Sequence, residues 1–456
     1  MKSKIQWILL LFVLVTLCSC GGISPSEHNE VQHEKKPQTV NATVNTIFKN
    51  SETSIKENRL ENDFIRIWPN YVSLLEPPIW MQENVDGTEK KELALENISC
   101  VLWLTNDWIY YSCGEKDDNQ RVFRVPIIHK EEVTYDTVEK ELLFEIKTDD
   151  EYIQNTFFVT DTYIFYSRFD EDSEISTYYR YDIATGESTE VFTLESDDVG
   201  LEAELIQNEC TNLPVTLESS FFLSSDVGIY RVYFDTLEMK TICTGENLDI
   251  ENMAEHEGAV YFCGEIDGRK NDIAKIEWSS NNILKYDGKS EEITSVLTNT
   301  DLEEILEQIE NTSDIDLIDE NCYYCINAPY TYKDRLYIQV HTEAGARAFT
   351  QTSGKNVLLS APFTNLEQWE MENNLTKYCL EQGMGDESPG TTVAAVIGEV
   401  YDGKALVAIV NEVEEPSSPS QNSQNLEGYS AIYNIDTGEI EKLEDEDYRV
   451  GQCYSY

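Results

Sequence analysis

The feature that most constrains this chain is a pair of short motifs that recur along it. The first is an acidic or turn residue followed by an aromatic β-run. It stands at Asp107 (NDWIYYS), Asp161 (DTYIFYS), Glu257 (EGAVYFCG), Asp334 (KDRLYIQV) and Asp402 (YDGKALVAI). The second is a hairpin, YDIATGESTEV from Tyr181 and YNIDTGEIEKL from Tyr433. The two copies share Tyr, Ile, Thr, Gly and Glu at matched positions, and weaker copies begin at Tyr233 and Lys285. The turn ending in Thr-Gly suits a type I turn, with Gly supplying the positive φ of a bulged hairpin. Flanking runs are rich in β-branched and aromatic residues, which fit a pleated, half-buried surface.

A multi-strand unit recurring at a spacing of about 50 residues is the signature of a propeller blade. The expected fold is all-β: a β-propeller of four-stranded antiparallel blades, strands a to d. Six blades start near residues 98, 153, 205, 251, 319 and 391. In the first, SCVLWLT, WIYYSC, RVFRVPI and ELLFEIK are strands a to d. FIRIW and YVSLL, within residues 64–75, lie outside these six, as does YRVGQCYSY at the C-terminus. They either complete the last blade or build a seventh. An open sandwich would not repeat a hairpin with matched residues, and a parallel solenoid would need a shorter repeat.

Residues 107–127, a turn followed by IYYS, a variable loop and RVFRV, resemble the bacterial propeller units of the DUF5050 type. Those units are related in form to low-density-lipoprotein-receptor propellers. The resemblance implies a six-bladed propeller on an extracytoplasmic lipoprotein, and it brings no catalytic residues with it.

The N-terminus fits that implication. Lys2 and Lys4 precede an apolar run over residues 5–17, which is too short to span a bilayer comfortably. The ending Leu17-Cys18-Ser19-Cys20 resembles a bacterial lipobox, which implies cleavage before Cys20 and a diacylglyceryl thioether on it. Residues 1–20 are therefore expected to be the signal peptide, 21–58 a polar tether and 59–456 the propeller. The location implied is the outer side of the bacterial cytoplasmic membrane or the cell surface.

Charge narrows the partners. There are 86 acidic residues against 33 basic ones, a net charge of -53. That field repels nucleic acid and anionic lipid. A cation, a basic partner, an envelope protein, a peptide or a glycan remains open, and the chain is expected to act as a monomer. The b–c and d–a loops share one face of a propeller, and here they are the long, acidic ones. Asp117 and Asp118, Asp170 and Asp172, and Asp267 mark them, so this is the candidate ligand face. None matches an EF-hand, which leaves calcium weakly motivated and no other cofactor indicated.

One stretch breaks the β pattern. TDLEEILEQIEN places Leu302, Ile305, Leu306 and Ile309 on one helical face, so a short inserted helix is expected near 301–310. Thr300 and Glu303 would form its capping box. Its apolar stripe suits a stopper docked on a blade edge or the channel mouth. Cys100 and Cys113 are equidistant from a turn between Asn106 and Asp107, so a two-residue loop would set them face to face for a disulfide. Cys322 and Cys325 form a lone CxxC without a second ligand pair for zinc.

No GxSxG, HExxH or P-loop occurs. His28 and His33 lie in the tether, and His129, His256 and His341 have no nucleophile motif near them. The leading expectation is a non-catalytic binding module. The alternative is an extracytoplasmic polysaccharide hydrolase or lyase using a carboxylate pair.

Overall fold

A computed structural model of the chain describes Val40 and, with breaks, residues 60–442. Among the described residues, seven sheets of four or more strands follow one another in sequence. They are sheet 1 (60–92), sheet 2 (98–146), sheet 3 (151–195), sheet 4 (204–244), sheet 5 (254–297), sheet 6 (322–374) and sheet 7 (391–442). The fold is a β-propeller, and sheets 2 to 7 are the six blades expected from the repeat. Residues 64–70 do not complete the last blade, since sheet 7 has four strands of its own. Instead Ile65–Asn70 is the second strand of sheet 1, and 71–75 lie outside the described residues.

The main strands of each sheet follow one another antiparallel in chain order, and side chains alternate between the two faces of each strand. Sheets 1 and 2 share a core around Ile67, Leu104 and Tyr111. Sheets 2, 3 and 4 meet over Phe144, Phe158, Phe165 and Phe221. Sheets 4 and 5 share Phe222, Val260 and Ile276. Sheets 5 and 6 share Tyr261 and Ile338, and sheets 6 and 7 share Tyr337 and Val407. The first strands of sheets 1 to 4 lie beside one another, and that of sheet 5 lies beside Tyr330–Tyr332 of sheet 6. In sheets 1 to 4 the first strand is thus the axial one.

The a–b and c–d turns form one face, the turn face. The b–c and d–a connections form the other. Both hairpin copies fold as expected. Asp182 Oδ1 accepts from the Ala184 and Thr185 amides, and Asn434 Oδ1 from those of Asp436 and Thr437. Gly186 and Gly438 take φ of 73° and 71°, a conformation that costs glycine little.

Three expectations need correcting. The segment around Asp267, read as a loop, is a hairpin of Glu265–Lys270 and Ile273–Glu277 inserted between strands b and c of sheet 5. It leaves its own blade and pairs in parallel with the outer strand of sheet 4, at Cys243↔Ala274 and Thr244↔Lys275. The helix, α1 (Asn299–Thr312), buries Leu302 and Leu306 against the core of sheets 5 and 6, as its stripe requires. Its capping box, however, is two residues earlier. Thr298 Oγ1 accepts from the Asp301 amide, and the Asp301 carboxylate accepts the Thr298 amide. Both pairs fit the motif, and the end of the preceding strand at Leu297 selects the first.

The third correction concerns Cys100 and Cys113. Register shifts between Ile98 and Cys100 and between Val101 and Trp103 place Cys100 opposite Ser112 and Cys113 opposite Ile98. Adjacent strand residues point to opposite faces, so the two thiols are on opposite sides of the sheet and are not bridged. Cys100 is exposed, whereas Cys243 is fully buried and burial pushes its thiol up to about 12. Burial raises the Cys100 thiol too, so native alkylation followed by peptide mapping is expected to modify Cys100 slowly at neutral pH and faster as pH rises, and Cys243 only after unfolding. A Cys100–Cys113 cross-linked peptide would contradict the register.

Candidate functional site: two unlike faces

The turn face is occupied by the seams between neighbouring sheets. At sheets 1 and 2, Asn62 Nδ2 donates to the Thr105 carbonyl at 2.6 Å. At sheets 3 and 4, Arg180 Nη1 donates to the carbonyls of Phe234 (2.8 Å) and Asp235 (2.7 Å) while lying over the Tyr163 ring. At sheets 4 and 5, Arg231 donates to the Gly288 carbonyl, and Lys240 pairs with Glu291. At sheets 5 and 6, Thr331 Oγ1 donates to the Glu255 carbonyl, and His256 stacks on Phe363 with ring centroids 3.6 Å apart. At sheets 6 and 7, Tyr332 Oη and Lys333 Nζ both donate to Asp436. The Lys333 and Tyr332 hydrogen bonds hold the Asp436 carboxyl below the usual carboxylate range, and the amide and hydroxyl of Ser290 do the same for Asp287. This face spends its polar groups on blade-to-blade contacts.

The opposite face carries the insertions. The 265–277 hairpin and α1 both emerge there, since they occupy a b–c and a d–a connection. α1 has five acidic residues, Asp301, Glu303, Glu304, Glu307 and Glu310, and no Lys or Arg among its fourteen residues. Asp301, Glu303, Glu304 and Glu307 are exposed. Asp301 in the first turn complements the helix dipole, but Glu307 and Glu310 sit toward its negative end, where a carboxylate is disfavoured by about 0.3–1 kcal/mol.

Of the acidic loop residues singled out from sequence, Asp117, Asp118 and Asp172 lie outside the described residues, as does Cys20. Asp170 is half-buried and ends the second strand of sheet 3, across from Ile175 and Glu151. Asp267 is exposed in the inserted hairpin and pairs with Lys275 at 2.8 Å. They belong to different sheets. Among the described residues, no group of three or more His, Cys, Asp or Glu is arranged to hold a metal ion, and no helix is long and apolar enough to cross a membrane. The aromatic rows are core: Tyr110, Tyr111, Phe165, Tyr166, Phe221 and Phe222 are each no more than 2% exposed. They offer no platform for stacking a sugar. The sequence showed α1 by its apolar side; its acidic side, free of Lys and Arg, was equally visible.

No family model matches this chain, and no curated protein matches it. Several solved structures are similar in shape. The β-propeller domain of the trilobed protease of Pyrococcus furiosus has 10% identity and a TM-score of 0.39, covering 91% of this chain and 100% of that one. Prolyl oligopeptidase B of Galerina marginata has 10% identity and a TM-score of 0.45, covering 90% and 51%. Dipeptidyl peptidase 4 of Porphyromonas gingivalis has 9% identity and a TM-score of 0.42, covering 86% and 50%. These likenesses concern fold alone. The class defined by the fold is the β-propeller, with one face stitched and the other carrying an acidic helix and a hairpin.

Proposed function

We propose that this chain is a lipid-anchored extracytoplasmic propeller that binds, without catalysis, a cationic partner such as a basic peptide or protein segment. The observation that carries the binding reading is α1. Four of its five carboxylates stand exposed on the face not used for blade seams, with no cation inside the helix to balance them. A basic partner gains both from the side chains and from the helix C-terminus. The anchor rests on the lipobox-like ending at Cys20.

A decalysine peptide tests the binding surface in the full chain. Binding is expected to be salt-sensitive. The Glu303→Gln, Glu304→Gln, Glu307→Gln triple variant is expected to weaken it about tenfold, on the order of 0.5 kcal/mol per exposed pair. Glu238→Gln, Glu291→Gln, Glu439→Gln removes the same charge from the turn face and is expected to change it less than twofold. Equal losses in the two variants would mean that net charge alone attracts the peptide. For the anchor, radioactive palmitate is expected to label the wild type and not Cys20→Ala.

A further inference from the structure

The pairing of strands c and d is interrupted once in each of sheets 2 to 6. A register shift skips one residue of the outer strand, namely Leu143, Val191, Ile242, Val296 and Glu372 in turn. A β-bulge disrupts the ladder and bends its strand, so a further strand cannot follow such an outer edge along its whole length. Sheet 4 shows what remains usable. The inserted hairpin pairs with its outer strand at Cys243 and Thr244, the two residues directly past the Ile242 bulge. In sheets 2, 3, 5 and 6 the outer strand ends the sheet among the described residues. The stretch past the bulge is longest in sheet 3, residues 192–195 of the strand Glu187–Glu195. Sheet 2 offers 144–146, sheet 6 offers 373–374 and sheet 5 Leu297 alone. In sheet 3, Phe192 stands where Cys243 stands in sheet 4 and stacks on Tyr178. Thr193 stands where Thr244 stands, and it is exposed.

We propose that the outer edge of sheet 3 past Val191 is a strand-addition site for an extended, basic segment of a partner protein. Two observations choose the occupant. This chain already fills the matching edge of sheet 4 with an extended segment of its own, so the geometry suits an added strand. The charge suits a basic one. Glu187 and Glu190 are exposed on the strand, which contains no Lys or Arg. The strand seated on sheet 4 brings Lys275 to the register position of Thr244. A second copy is ill suited, because it carries the same glutamates and the same net charge of -53. The site lies at the end of its strand away from the c–d turn, on the side of the ring that carries α1. It shares a basic partner with the reading given for α1 but not a surface, so each can fail alone.

Hydrogen exchange on the full chain tests the site, with a short peptide of alternating Lys and Val as the probe. With saturating peptide, amides within 192–195 are expected to exchange about tenfold more slowly, because outward backbone groups gain partners. The same peptide N-methylated at every amide keeps its charge but cannot donate to a ladder, and it is expected to leave them unchanged. Glu190→Lys with Thr193→Lys sets cations on the exposed edge and is expected to abolish the protection. The Glu303→Gln, Glu304→Gln, Glu307→Gln variant changes the net charge equally at α1 and is expected to preserve it. No slowing at 192–195 overturns the site, as does equal slowing by the N-methylated peptide. Loss of the protection in the α1 variant also overturns it, by assigning the peptide to the helix. Protection at 192–195 together with unchanged decalysine binding in the α1 variant refutes the α1 reading and leaves this edge standing. The wild-type comparison of the two peptides decides the matter even where the Lys variant fails to fold.

Discussion

Replacing Arg231 with Met is expected to lower the unfolding free energy by about 1–3 kcal/mol, which urea titration will read as a lower midpoint at an unchanged slope. Arg231 is among the largest fully buried side chains, and its side chain is 1% exposed. Nε donates to Ser220 Oγ at 2.7 Å, Nη2 to the Leu217 carbonyl and to Glu218, and Nη1 to the Gly288 carbonyl of the next sheet. The guanidinium also lies over the Tyr233 ring. A thioether of similar length fills the space but supplies no donor, so buried acceptors at the seam of sheets 4 and 5 lose their partners. Arg231→Lys is expected to recover only part of the loss, since an ammonium cannot reproduce the planar fork. Lys333→Met, at the exposed seam of sheets 6 and 7, is the control. Its side chain is 62% exposed, and such pairs are worth about 0–1 kcal/mol. If Arg231→Met cost no more than Lys333→Met, the seam account would be wrong.

Gly245→Val is expected to unseat the inserted hairpin. Gly245 follows the outer strand of sheet 4, where the hairpin docks. A Cβ there would stand 2.5 Å from the Ile276 carbonyl oxygen and 2.5 Å from a Leu248 methyl. The backbone oxygen cannot swing aside, so the strand Ile273–Glu277 must move away and surrender its parallel pairing. Overpacking of this kind costs about 1–3 kcal/mol. Amides over 273–277 are expected to exchange at least tenfold faster, while those of Gly228–Tyr233, two strands further in, keep their protection. Unchanged exchange at 273–277 would show that the close approach at Gly245 does not govern docking. Because the hairpin belongs to sheet 5 and the strand it joins to sheet 4, its release also loosens that seam.

Local chemistry made much of this molecule legible in advance. Strand alternation, the Tyr181 and Tyr433 hairpins with their glycines, and the apolar stripe of α1 are decided within a few residues. In each, a backbone preference and a burial pattern agree. The sequence by itself thus determined that the chain repeats as four-stranded blades and roughly where each begins. Tertiary structure decided the rest, because those choices rest on partners far along the chain. Two competing capping boxes were separated only by where the preceding strand ends. The Cys100–Cys113 pairing failed on bulges no two-residue periodicity reveals. The hairpin around Asp267 looks like a b–c loop until the edge it joins, at Cys243 and Thr244, is in place. Which face holds the acidic helix, and which is closed by contacts such as Tyr332 with Asp436, 104 residues apart, follows from ring packing. No local signal encodes a contact whose two halves meet only after the blades between them have folded.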